Sequence, residues 1–106
     1  MAKGDLAGVE KVFREAIKLH PSNLDVQFYL GGILMAKGDL VGAEKKYREA
    51  IELNPNYSPA HSCLGLVLKA KGDLDGAAKA FREALRLKPE NADYKQCLQD
   101  VLKMMK

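Results

Sequence analysis

The sequence predicts an all-α fold, an antiparallel helix-turn-helix solenoid of about six helices, and three observations predict it. The string Lys-Gly-Asp-Leu recurs at Lys3–Leu6, Lys37–Leu40 and Lys71–Leu74, 34 residues apart each time. Self-similarity at that period is the signature of stacked helical hairpins. Much else keeps the same register: Arg14-Glu15-Ala16 with Arg48-Glu49-Ala50 and Arg82-Glu83-Ala84, then Phe13 with Tyr47 and Phe81, then Pro21 with Pro55 and Pro89. Within each unit the apolar residues fall at steps of three and four, the spacing of one helix face.

The first helix is expected over residues 5–20, N-capped by Asp5 and stopped by Pro21. Its apolar stripe is Val9, Val12, Phe13, Ala16 and Ile17. Met1–Leu6 is identical to Met35–Leu40, so the chain opens on a turn and this helix is the second of a hairpin without its first. A complete hairpin follows at 23–54. Its first helix turns Val26, Leu30, Ile33 and Leu34 inward. Its second, N-capped by Asp39 after the Gly38 turn, carries Leu40, Ala43, Tyr47, Ala50 and Ile51 in one stripe and ends before Pro55. Gly31 lies inside a helix, where glycine costs about 1 kcal/mol relative to alanine. Its recurrence at Gly65 argues for backbone-to-backbone packing.

The next hairpin, 57–88, repeats this with Leu64-Gly65, Leu68 and the Asp73 cap, and Pro89 closes it. A last helix at 91–105 turns Ala92, Tyr94, Leu98, Val101, Leu102 and Met105 inward. Its outer face is Asp93, Lys95, Gln99, Asp100 and Lys103, the polar face of a solenoid cap. Residues 1–106 thus read as one domain.

These landmarks resemble the tetratricopeptide repeat (TPR). The likeness covers residues 24–55 and 58–89, through Leu30-Gly31, Ala43, Tyr47, Ala50 and Pro55, then Leu64-Gly65, Ala77, Phe81, Ala84 and Pro89. The departures are Gln27 and His61 where the family often has Trp, and Leu34 and Leu68 where it often has Tyr. The resemblance implies a right-handed superhelix whose first helices line the concave side. It implies a noncatalytic protein–protein interaction scaffold with a protein or peptide as partner. The family's groove slots fall here on Asp25, Phe28, Gly32 and Met35, then Ser62, Leu66 and Lys69, then Gln96, Asp100 and Lys103. An apolar strip of Phe28, Met35 and Leu66 beside a polar one suits an extended or helical peptide with a few apolar anchors. One subclass of the family grips the C-terminal carboxylate of chaperones with Lys and Asn. Phe28, Gly32, Cys63 and Pro59 stand in such slots here, so an acidic chaperone tail is not the expected ligand.

Other chemistry finds little support. Cys63 and Cys97 occupy equivalent sites on successive units. Packed helices lie about 8–10 Å apart and a disulfide needs Cα atoms within about 7 Å, so both read as half-buried packing residues. Neither thiol has a paired base, His20 and His61 have no metal-ligand partners, and no cofactor or metal is expected. Glu10, Glu15, Glu44 and Glu49 alternate with Lys and Arg as solvated i,i+4 pairs. The chain carries a formal net charge of +3, but interleaved carboxylates break up the basic stripe that a nucleic-acid-binding repeat needs. The apolar run Val26–Ala36 has 11 residues, short of the roughly 20 that span a bilayer. With no signal peptide either, the default compartment is the cytoplasm. The alternative function is self-assembly, in which Val9, Val12, Phe13, Ala16 and Ile17 on the first helix bury against a second copy as a homodimer. Gly8, Gly42 and Gly76 recur in the first turn of each second helix without a reason that the sequence supplies.

Overall fold

The computed structural model describes residues 6–106; Asp5, the expected first cap, and the turn before it lie outside them. Six helices follow one another: α1 (Leu6–Leu19), α2 (Leu24–Ala36), α3 (Leu40–Leu53), α4 (Ser58–Ala70), α5 (Leu74–Leu87) and α6 (Ala92–Met104). The described residues contain no strand. Each helix packs on the next, and α2 also touches α4. The result is an all-α helical solenoid of 41 × 27 × 20 Å.

Local chemistry sets the helix ends. Asn23, Asp39, Asp73 and Asn91 accept the backbone N–H of Val26, Gly42, Gly76 and Tyr94 at 3.2, 2.9, 2.9 and 3.0 Å, each satisfying a donor the helix cannot. In α4 no side chain caps, and Pro59 in its first turn removes one unsatisfied donor instead. Between the helices of each hairpin, Gly38 and Gly72 sit at φ +85° and +87°, a conformation that costs glycine nothing. There Asp39 and Asp73 donate their N–H to Leu34 and Leu68 at 2.8 and 2.9 Å.

Gly42 and Gly76 gain a reason here. A Cβ on either would lie 2.5 or 2.4 Å from the carboxylate of Asp39 or Asp73. Glycine leaves the carboxylate room to sit 2.9 Å from the N–H of the third helical residue; the same cap closes over Val26 and Tyr94 at 3.2 and 3.0 Å, so glycine eases the cap without being required for it.

The core runs without a break from Leu30, Leu34, Ala43 and Tyr47 through Leu64, Val67 and Leu68 to Ala77, Phe81 and Val101. Gly31 and Gly65 are buried in it, but they do not face backbone as the sequence suggested. A Cβ on Gly31 would meet the Tyr47 ring at 2.7 Å, and one on Gly65 the Phe81 ring at 2.7 Å. An aromatic ring from the facing helix fills the space. Gly65→Ala is expected to destabilise by about 1–2 kcal/mol, since overpacking costs about 1–3 kcal/mol and helix propensity returns at most about 1. Urea unfolding measures this; a stabilised variant would mean the ring is free to move. At the same register position α6 carries exposed Gln99, so no ring could lie there as Tyr47 and Phe81 do.

Three inward assignments change. Val12 is 64% exposed: it lies at the edge of the α1 stripe, and α2 is the helix that covers α1. Ala92 and Met105 face solvent at the two ends of α6, while Tyr94, Leu98 and Leu102 are half-buried. Gln27 is more buried than Val26, because its amide donates to the Pro21 carbonyl at 3.3 Å. His61 repeats that arrangement, its Nε2 lying 2.8 Å from the Pro55 carbonyl oxygen.

Candidate functional site

The first helices of the hairpins, α2 and α4, touch each other, and no pair of second helices does so to a like extent. α2 and α4 thus lie side by side, and α6 meets α4 through the hydroxyls of Tyr94 and Ser58, 3.3 Å apart. From α2, Asp25 and Gly32 are exposed while Phe28 and Met35 are half-buried. From α4, Ser62 and Lys69 are half-buried and Leu66 is 36% exposed. From α6, Gln96 and Lys103 are exposed and Asp100 half-buried, and the Gln96 amide donates to Asp100 at 2.8 Å.

Phe28 is the hub. Its ring lies 5.8 Å from Tyr29, 5.7 Å from Tyr47 and 5.4 Å from Tyr57, edge-on to Tyr29 and Tyr57, the geometry in which aromatic quadrupoles attract. Tyr29 in turn lies 6.1 Å from Phe13 and is 57% exposed. Beyond Tyr57, the Ser58 hydroxyl meets the Tyr94 hydroxyl at 3.3 Å. Burial, and after it the carboxylate of Asp25, pushes the Tyr57 hydroxyl above its ordinary range.

Beside it opens an apolar cavity of about 570 Å³, lined by Leu6, Val9 and Phe13 from α1 and by Tyr29, Gly32, Ile33 and Ala36 from α2. Its wall has a repeat-register meaning. One unit on, the equivalent residues are Leu40, Ala43, Tyr47, Cys63, Leu66, Val67 and Ala70, of which Ala43, Tyr47 and Val67 are buried. Val9 and Phe13 are only half-buried.

Of the residues expected on the first helix, Val9 and Phe13 thus share this cavity, Val12 points away, and Ile17 lines a separate hollow with Pro21 and Gln27. Ala16 is half-buried. The sequence passes over Tyr29 and Tyr57, and it places Tyr94 in the inner stripe of the last helix and not at the groove. Only Tyr29 carried a signal, being one helical turn from Asp25.

The remaining ionisable groups support packing. Cys63 and Cys97 are free thiols, and burial pushes both above the ordinary thiol range. A raised thiol is a poor nucleophile at neutral pH. Tyr47 is raised too, by burial first. Among the described residues no three His, Cys, Asp or Glu side chains converge as a metal site. Among the described residues no helix is long and apolar enough to cross a membrane.

On the outer helices, Glu10 pairs with Arg14 and Lys37, and Glu44 with Arg48 at 2.8 Å and Lys71 at 2.6 Å. Hydrogen bonds from the lysine and then the arginine hold both carboxyls below their usual range. The stability these pairs add is therefore present above the ordinary carboxylate pKa and lost as pH falls through the lowered one. Melting temperature is expected to hold from pH 7 to about 5 and fall below about 4.5. Glu10→Gln with Glu44→Gln should flatten part of that fall, by at most about 1 kcal/mol for each solvent-screened pair.

Comparison with known families and structures fits this geometry. The family described as TPR repeat matches residues 31–72, and the one described as tetratricopeptide repeat matches residues 58–91. The chain belongs to the TPR family.

A search of the curated proteins finds no match. Among solved structures, the first TPR of Spaghetti (RPAP3), bound to the HSP90 peptide SRMEEVD, superposes with a TM-score of 0.92 at 20% identity, covering 96% of this chain and 81% of that one. The Sgt2 TPR domain from Aspergillus fumigatus gives 0.90 at 21%, covering 99% and 71%. At such identities the likeness is one of fold. A mutant O-GlcNAc transferase from Thermobaculum terrenum gives 0.85 at 26%, covering 94% of this chain but 19% of that one, so none of that enzyme's activity comes with the match. TPR domains are generally noncatalytic scaffolds for protein interaction, and this TPR chain has their fold.

Proposed function

We propose that this chain is a noncatalytic scaffold that holds an extended or helical peptide along the face of α2, α4 and α6. The observation that carries the reading is the ring cluster of Phe28, Tyr29 and Tyr57, with Tyr29 57% exposed, and at its α1 edge an apolar cavity of about 570 Å³. The cavity is large enough for a bulky aliphatic or aromatic side chain, and concave apolar sites with a few polar groups are where ligands are held. Phe28, Met35 and Leu66 supply further apolar surface. Asp25, Ser62, Lys69, Gln96, Asp100 and Lys103 supply the polar groups that fix direction and register, with Gly32 leaving room for a close approach.

Random peptides displayed on phage and selected on the intact protein test this. Peptides enriched on the wild type should be lost on Phe28→Glu with Met35→Glu. Because those two side chains also pack on the core, Leu66→Glu, at a more exposed site, gives an independent arm. Retention of the same peptides by both variants would refute the groove.

A second reading is favoured by the half-buried Val9 and Phe13: the α1–α2 face buries against a second copy. Light scattering at high micromolar concentration separates the readings. A dimer abolished by Phe13→Glu supports self-association, and a strict monomer removes it.

A further inference from the structure

The groove reading above leaves open which peptides fit, and the distribution of charge along the first helices narrows this. α2 carries one charged residue, Asp25, and α4 one, Lys69. Lys69 is the twelfth residue of α4, about 16 Å along the axis from its start. His61 is committed to the Pro55 carbonyl. Asp25 itself is exposed and makes no ion pair among the described residues. It stands one helical turn before Phe28 and Tyr29, on their face of α2, and its field reaches Tyr57. A carboxylate in the first turn of a helix also favours the helix dipole, but that role leaves its outward oxygens free for a partner.

We propose that the α2 end of the groove selects a peptide in which a basic residue, arginine or lysine, flanks the apolar anchor, its cation lying against the Phe28, Tyr29 and Tyr57 rings and paired with Asp25. An aromatic face attracts a cation through its quadrupole, and the carboxylate supplies a full countercharge beside it. An acidic ligand at the same end would meet Asp25 and no cation from α2 or the first eleven residues of α4. The expected specificity is thus opposite in sign to that for an acidic tail.

Random dodecapeptides displayed on phage are selected on the full chain and on its Asp25→Lys and Asp25→Asn variants. Wild-type peptides should pair an aliphatic or aromatic residue with a neighbouring Arg or Lys, and Asp25→Lys should turn that preference to Asp or Glu. The best wild-type peptide, fluorescein-labelled, should bind about tenfold more weakly when its arginine is replaced by neutral citrulline, as loss of one cation–π and ion-pair contact implies. On Asp25→Asn the citrulline penalty should shrink to about two- to fivefold, the part that the cation–π contact alone supplies. Charge-indifferent or acidic wild-type peptides, or an unchanged preference on Asp25→Lys, overturn the inference while leaving the groove standing. If no peptide is enriched, or if enriched peptides survive Leu66→Glu and Phe28→Glu with Met35→Glu, the groove itself fails and the inference with it.

Discussion

Phe81→Ala is expected to lower the unfolding free energy by about 3–5 kcal/mol, the range for emptying a buried phenylalanine site. Phe81 is 0% exposed and its ring lies on Gly65 at the centre of the continuous core. Neither side can collapse into the space: Gly65 has no side chain to offer, and Ala77, Ala80 and Ala84 around it are small and already buried. A domain of this size is worth about 5–15 kcal/mol in all, so the variant loses about a fifth or more of its stability. Urea unfolding should move to a lower midpoint with an unchanged slope. The register-equivalent Phe13→Ala should cost less than half as much, because Phe13 is only half-buried and water already reaches one side. Equal losses at the two positions would mean that the repeats are not energetically graded from a covered centre to an open end.

The second large effect concerns binding. Phe28→Glu with Met35→Glu is expected to weaken a selected peptide by well over thirtyfold, since truncating a hot-spot anchor costs about 2 kcal/mol or more and a new carboxylate adds desolvation. Fluorescence anisotropy reads the affinity, and circular dichroism establishes that the helices persist. Phe28 is the more informative of the two: it touches Tyr29, Tyr47 and Tyr57 at once, so its loss also loosens the cluster against which Asp25 acts. Leu66→Glu, far from that cluster along the helix row, should weaken binding less and leave charge preference intact.

What the sequence made legible divides along the range of the interactions. Asp39, Asp73, Pro55 and Pro89 act within a turn of themselves, so helix starts and stops could be read directly, and the 34-residue period supplied the stacking order. Gly31 and Gly65 could be recognised as places where something approaches closely, yet the partner is a ring from the opposite helix and not its backbone. That choice depends on how Tyr47 and Phe81 turn once packed. Gly42 and Gly76 resisted explanation for the reverse reason: the space that a Cβ would take is occupied by the capping carboxylate, invisible until the cap is closed.

The groove was legible only as slots carried over from a family likeness. Phe28, Met35 and Leu66 fell on them, but Tyr57 precedes α4 and joins Phe28 only through tertiary packing. The apolar cavity was missed because its wall comes from two helices at different phases of the repeat. Val12 sits one residue from Phe13 and three from Val9, so periodicity groups it with them. It turns outward because the stripe is narrower than the sequence pattern where one neighbouring helix covers it.

The central claim is that the face built by α2, α4 and α6 is the working surface. Backbone amide NMR of the protein titrated with a selected peptide addresses it most directly. Shifts are expected to concentrate on Asp25, Phe28, Tyr29, Gly32, Met35, Ser62 and Leu66, extending to Val9 and Phe13 at the cavity, and to leave the outer residues Arg14, Lys45, Arg48, Lys79 and Arg82 unmoved. Shifts centred on those outer residues of α1, α3 and α5, with α2 and α4 silent, would contradict it.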